Sequence, residues 1–303
     1  MKNSIKQKLH TIKKLLLGIK NVPIQIDSCW TYFLFRIRWT LKNADDEMVR
    51  PNHEFYKKQF VAHGRYKIAG TPNNSLCLFK ELFESGYRIV ECDIMFTNDE
   101  VPVLCHDDSL KDWAKDNNGI SIDKRISQLS LKSLLQYNFA TDNVSFVRAT
   151  LFEDLLVLAR KYDACVEIDL NKLYLGRKKC RILYEMVKRT NMLDNVIWEI
   201  YPYDFYSFAI LNQKLIYQLD NFWSKQRVHE ALKKQKLSSL IILSQWFPSN
   251  KATVNKGLVG FCHSKGFVMK CATINDDKEA SFLFSKGIDL ITTDCLHNKI
   301  NIR

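Results

Sequence analysis

The sequence predicts an α/β protein built as a TIM-type (β/α)8 barrel with a basic helical extension at its N-terminus. Three observations carry that reading. A length of 303 residues with 46% hydrophobic content suits one barrel domain with a large core. From Gln59 onward, short apolar runs alternate with amphipathic helical patterns, the order that parallel strands joined by right-handed crossovers require. The first three runs end in groups able to bind a metal or move a proton: His63, then Glu91 with Asp93, then His106. A parallel barrel presents its chemistry at the C-terminal ends of its strands. The expected division is residues 1–52 as extension and linker and 53–303 as barrel.

In the extension, Ile5, Leu9, Ile12, Leu16 and Ile19 recur at steps of four and three, one apolar stripe among lysines. Pro23 ends that helix. A second candidate helix starts at an Asp27 or Ser28 cap and sets Trp30, Phe33, Leu34, Ile37 and Leu41 on one broad face. Residues 4–42 therefore suit an anionic membrane surface, where basic amphipathic helices lie flat. Packing on the barrel or on a second copy of the chain is the alternative. Residues 43–54 read as a polar linker.

Within the barrel, the first strand runs to His63 and a helix over 76–86 closes at Gly86. Strand two carries Glu91 and Asp93, whose spacing of two projects both carboxylates to one side. The turn Thr97–Glu100 leads to the run VPVLC and His106, and 108–125 reads as a surface loop beside the mouth. Helices follow at ISQLSLKSLLQY, capped by Ser130, and at TLFEDLLVLARKY, where Thr150 and Glu153 have capping-box spacing. Further strands are expected at Cys165–Leu170, Asn195–Ile200, Leu215–Leu219, Leu240–Ser244, Val268–Thr273 and Asp289–Thr292. That makes one candidate too many for eight positions, and Leu240–Ser244 is the one expected outside the barrel.

A net charge of +12 and a pI near 9.2 favour anionic partners, and the excess is concentrated before residue 43. Nucleic acid is not expected, because the basic residues share helices with a lipid-like apolar face and no recognition motif accompanies them. Cys92, Cys105, Cys165 and Cys271 sit in apolar runs and no C-x-x-C pair occurs, which reads as buried reduced thiols. With neither a secretory signal nor 18 consecutive apolar residues, a cytoplasmic protein, peripheral on the inner membrane face, is expected.

The ordered series His63-Gly64-Arg65, Pro72-Asn73-Asn74-Ser75, Glu91-Cys92-Asp93, Thr97-Asn98-Asp99, Pro102-Val103, His106-Asp107, Glu167, Gly287-Ile288-Asp289 and Thr293-Asp294 resembles the glycerophosphodiester phosphodiesterase family, within the phospholipase C-like superfamily. The resemblance implies a TIM-barrel phosphoric diester hydrolase in which Glu91, Asp93 and Glu167 bind a divalent metal. Electrostatics agree, since three crowded carboxylates stay ionised only around a cation, and an all-oxygen set favours Mg²⁺ or Ca²⁺. His63 and His106 are the expected acid and base, in an order left open. Arg65, Asn74 and Lys172 are candidates for phosphate or metal-shell contacts. The chain departs from the family pattern at Gly64-Arg65, where His-Arg-Gly is commoner, at Asn73, at Asp169 in place of a Lys, and at Ala272 in place of a Trp. A glycerophosphodiester, lipid-derived or polymeric, is the expected substrate. A membrane-associated phospholipase C or D and a catalytically silent phosphate-ester-binding barrel are the alternatives.

Overall fold

A computed structural model describes residues 53–141, 146–170, 175–200, 204–212, 215–220, 240–246 and 256–296, with isolated positions between 231 and 238. The two helices expected in the N-terminal extension and Lys172 lie outside the described residues. Eight strands run parallel: β1 (Gln59–Ala62), β2 (Ile89–Phe96), β5 (Cys165–Asp169), β6 (Val196–Glu199), β7 (Ile216–Asp220), β8 (Leu240–Trp246), β9 (Val268–Ala272) and β10 (Leu290–Thr293). Their hydrogen-bonded order is β1-β10-β9-β8-β7-β6-β5-β2, and β1 also pairs with β2, so the sheet closes. This is the expected TIM-type barrel.

Two short strands, β3 (Pro102–Leu104) and β4 (Thr150–Leu151), stand outside it as an antiparallel extension of β2. The expectation about the surplus strand is therefore corrected. Leu240–Trp246 is a barrel strand in parallel register with both β7 and β9, and the run ending at His106 is the outsider. The reason is local: a tight turn, in which Thr97 N donates to Val101 O, Val101 N donates to Thr97 Oγ1 and Glu100 takes φ 61°, folds the chain straight back on β2. So tight a turn leaves no room for the helical crossover that a parallel neighbour needs.

Inward positions change character along the barrel. At the N-terminal end Val61, Ile89, Cys165, Ile197, Ile216 and Ile242 belong to one apolar cluster that plugs the interior. One pleat further, inward positions become Glu91, Glu167, Glu199, Gln218 and Lys270, all buried. The larger apolar cluster joins the outward faces of the strands to the surrounding helices, including Leu76–Glu84, Phe152–Lys161 and Gly176–Arg189. Because both faces of β2 are covered, all eight of its residues are buried. A third apolar cluster, with Met95, Leu110, Ile126 and Leu134, anchors the segment between β3 and β4 over the barrel's C-terminal end.

Helix starts follow the sequence with one exception, and the helix expected over ISQLSLKSLLQY is reduced to a 3-10 turn at Ile126–Gln128 and a single turn at Leu131–Leu134. Ser75 caps Leu76–Glu84 and Ser130 caps Leu131–Leu134, each accepting from a backbone N–H. The expected Thr150–Glu153 capping box does not form. Thr150 is taken into β4, and its Oγ1 accepts from Leu76 N instead. Among the described residues, no helix is long and apolar enough to cross a membrane. The described cysteines are free thiols, six of them buried.

Candidate active site

His63 follows β1 directly, and its backbone N–H bonds to Thr293 O at the end of β10. The residue is 4% exposed. Nδ1 lies 2.6 Å from Asp294 Oδ1, and Nε2 lies 3.6 Å from Glu91 Oε2. An Nδ1–H donated to Asp294 leaves Nε2 as the ring atom facing the acidic centre. Burial opposes protonation of this imidazole, but the Glu91 charge and then the Asp294 hydrogen bond outweigh it and raise the pKa. For Asp294, burial favours the neutral acid, while hydrogen bonds from His63 and Asn275 reverse that and hold the carboxyl below its ordinary value. Asn275 fixes Asp294 twice, through Nδ2 to Oδ2 at 2.9 Å and through Oδ1, which accepts from the Asp294 backbone N–H at 2.8 Å.

Glu91 and Asp93 project together from β2, as their spacing predicts. Gly64 N donates to Glu91 Oε2 at 2.8 Å. A Cβ at position 64 would come within 2.7 Å of Asn74 Oδ1, so only glycine fits immediately after His63. Asn74, in the left-handed region at φ 52°, gives both amide atoms to Asp93: Nδ2 donates to Oδ2 at 2.9 Å, and Oδ1 accepts from the Asp93 backbone N–H at 3.1 Å. Asn74 thus orients a carboxylate instead of standing free for phosphate. Burial, then the Asp93 charge, pushes Glu91 up to about 8, a rise that His63 only partly offsets.

The third member of the acidic centre differs from expectation. Ligand atoms of Glu91, Asp93 and Asp169 all lie within 4.8 Å of one another, and they are the trio of this kind among the described residues. Glu167 sits one pleat deeper in β5, level with Glu91, where its Oε1 is bonded to the ammonium of Lys270. Asp169 is level with Asp93. A divalent cation fits the trio: the donors are all oxygen, and the proton that Glu91 retains without a counter-charge marks a place short of positive charge.

His106 follows β3 on the rim and is partly exposed. Its Nδ1 lies 3.0 Å from Asp107 Oδ1, and its ring is tilted against Trp113 at 5.8 Å between centroids. Trp113 Nε1 in turn donates to Asp107 Oδ2 at 3.0 Å. A cleft of about 370 Å³ opens beside His106, lined also by Met95, Arg125, Ser127 and Lys179. Met95 shares the face of β2 that carries Glu91 and Asp93, so the cleft continues outward from the trio.

A family model for glycerophosphoryl diester phosphodiesterases matches residues 63–297. The chain belongs to that family. Its members are phosphoric diester hydrolases, generally metal-dependent, and the chain is accordingly a phosphodiesterase by family. Solved structures with the same fold include an Oleispira antarctica phosphodiesterase in complex with the product sn-glycerol-3-phosphate (18% identity, 80% of this chain and 95% of that one, TM-score 0.65). A glycerophosphodiester phosphodiesterase from Parabacteroides distasonis is similar at 21% identity, over 78% and 94% of the two chains, with TM-score 0.61. One from Thermotoga maritima gives 20%, 78%, 93% and 0.56. A comparison with curated proteins finds no match.

Within this family frame, four partners escaped the sequence reading. Asp169 was detectable, since it shares a strand face with Glu167. Lys270, a lysine inside the apolar run VMKCA, was a signal as well. Asp294 closes the motif Thr293-Asp294, but that it partners His63, and that Asn275 holds it, depends on the meeting of β1 with β10. Arg65 is half-buried beside His63, and its Nε makes no hydrogen bond within the protein.

Proposed function

We propose that the protein hydrolyses a glycerophosphodiester, with a divalent cation, Mg²⁺ or Ca²⁺, held by Glu91, Asp93 and Asp169. The observation that carries this reading is the chain Asn275–Asp294–His63, which aims Nε2 of a buried histidine at the acidic trio. A phosphodiester resists cleavage through its negative charge and its poor leaving group. The cation, when bound, neutralises charge on a non-bridging oxygen. The rest of the work belongs to the side chains. His63, whose pKa the Glu91 charge and the Asp294 hydrogen bond raise, delivers a proton from Nε2 to the departing alkoxide. His106, on the open rim beside the cleft, takes the proton of the attacking hydroxyl, whether from water or from the substrate's own glycerol. Arg65 offers its free Nε–H to a phosphate oxygen, and Lys172 remains a further candidate.

The expected products are an alcohol and a glycerol phosphate, the latter being what the Oleispira relative holds. Purified protein should release phosphomonoester or cyclic phosphate from a panel of glycerophosphodiesters in Mg²⁺ or Ca²⁺, with release abolished by EDTA. His63→Ala should lower kcat by about 10²- to 10⁴-fold. Turnover unaffected by either treatment, followed by phosphorus NMR, would exclude this chemistry. The basic N-terminal segment supports placement at the cytoplasmic face of a membrane, with lipid-derived diesters as the substrate.

A further inference from the structure

Lys270 stands inside the barrel among carboxylates. It is 1% exposed, and its Nζ donates to Glu167 Oε1 and, at 3.0 Å, to Gln218 Oε1. Gln218 in turn donates its amide hydrogens to Glu199 Oε2 and, at 3.4 Å, to Asp220 Oδ1. With Nε2 facing those two carboxylates, the amide keeps one orientation, its Oε1 turned to the ammonium. In the closed order of strands, three lie between β5 and β9 by either route, so Lys270 reaches Glu167 from the opposite wall. Lysine has the long stem and compact head for that crossing.

Glu167 is paired in register with Glu91 on the neighbouring strand. The lysine occupies Oε1 of Glu167, while Oε2 is buried and bonded to no protein group among the described residues. A buried carboxylate oxygen without a donor calls for a cation or a water. The same division recurs at the acidic centre: Gly64 N holds Oε2 of Glu91, and Asn74 Nδ2 holds Oδ2 of Asp93. Each of these carboxylates has one oxygen assigned to a fixed donor. That matters for the choice of ion. Ca²⁺ takes about six to eight oxygens and accepts bidentate carboxylates, whereas Mg²⁺ demands an octahedron and takes carboxylates one oxygen at a time, with water in the remaining places.

We propose that Lys270 makes Glu167 a one-oxygen ligand, offering Oε2 alone, and so sets the site to prefer Mg²⁺ over Ca²⁺. This inference rests on the metal-dependent reading above and deepens it, adding Glu167 to the groups that would hold the ion. The lysine charge offsets that of the added carboxylate. Without Lys270, both oxygens of Glu167 become open to a cation, the mode that Ca²⁺ accepts and Mg²⁺ does not. Loss of the positive charge strengthens attraction for either divalent ion alike, so the ratio of the two affinities reads the carboxylate's mode of contact and not the charge. Lys270 is a positioning residue, acting through Glu167 and not by contact with substrate.

The test is calorimetric titration of Mg²⁺ and of Ca²⁺ into the full chain as wild type, K270M, E167Q and K270M/E167Q, with folding followed by circular dichroism. The wild type should bind Mg²⁺ more tightly, and K270M should move the ratio toward Ca²⁺ by at least about tenfold. E167Q, whose amide oxygen stays with Lys270 and whose amide hydrogens then face the ion, should lose at least about tenfold in Mg²⁺ affinity. Adding K270M to E167Q should leave the ratio within about threefold, because an amide has a single oxygen to offer. Tighter Ca²⁺ binding by the wild type, a ratio unmoved in K270M, or the same shift on the E167Q background would overturn the proposal. If K270M alone fails to fold, the wild-type order and the loss in E167Q decide the matter. Turnover measured beside the titrations separates the two readings. A diester cleaved by a chain that binds Ca²⁺ more tightly keeps the phosphodiesterase and removes the lysine's role, and the expected ratios without cleavage do the reverse.

Discussion

Asp294 is the residue on which His63 depends. Its carboxylate fixes the tautomer and stabilises the protonated ring, at 2.6 Å and with little solvent access. Asp294→Asn keeps the shape while removing the charge, so kcat should fall about 10²-fold or more and the pH profile should lose its His63 limb to lower pH. An unchanged profile would show that His63 does not act as the acid. Glu91 gives a second prediction. Its pKa of about 8 in the fold lies above the ordinary 4.5, so between those values the folded chain holds a proton that the unfolded chain has released. The stabilisation from that proton is complete below about pH 4.5 and is lost as pH rises toward 8. A divalent ion at the trio favours the carboxylate and removes the cost. The difference in Tm between Mg²⁺-loaded and EDTA-treated protein should therefore widen between about pH 6 and pH 8.5, read by thermal shift. A gap that narrows would contradict the placement of Glu91.

At the scale of elements, the loop before the helix Leu76–Glu84 ties stability to the site. Ser75 Oγ accepts from Leu78 N and donates to Pro72 O at 2.6 Å, which clamps the segment carrying Asn74 and, through it, Asp93. Ser75→Ala should cost about 1 kcal/mol, a Tm loss of roughly 2–4 °C in a domain of this size. It should also weaken ion binding, whereas a cap lost from a helix remote from the site would leave binding unchanged. The β2–β3 pair shows where sequence patterning stops. The run VPVLC has the composition of a barrel strand, and nothing in its alternation separates an antiparallel neighbour outside the barrel from a parallel one inside. The turn at Thr97–Glu100 makes that decision, and it carries His106 to the rim instead of to a strand end pointing into the mouth. Thr150 is comparable: a capping-box spacing was present, but pairing of β4 with β3 claimed the residue first.

For the whole molecule, the open matter is where the chain works. Formal charge is +12, and the segment before the barrel supplies much of it. The full chain should float with liposomes rich in anionic lipid, and a chain starting at Asn52 should not, with binding of the full chain lost at high salt. Equal binding by both chains would place the basic segment elsewhere, on the barrel or on another copy.

Sequence alone determined the family, the barrel, and the identity of His63, Glu91 and Asp93 as a group. Those properties are local, consisting of alternation along one strand, helical periodicity and motif order over residues 63–297. The convergence of Asp169 with Glu91 and Asp93, the partner of His63 and the position of His106 were decided by tertiary structure. Each depends on a meeting of distant strands: β1 with β10 for Asp294, and β5 with β9 across the interior for Glu167 and Lys270. Along β5, a lysine from the opposite wall reaches the deeper carboxylate, a pairing between positions too far apart in the chain for any local pattern to announce.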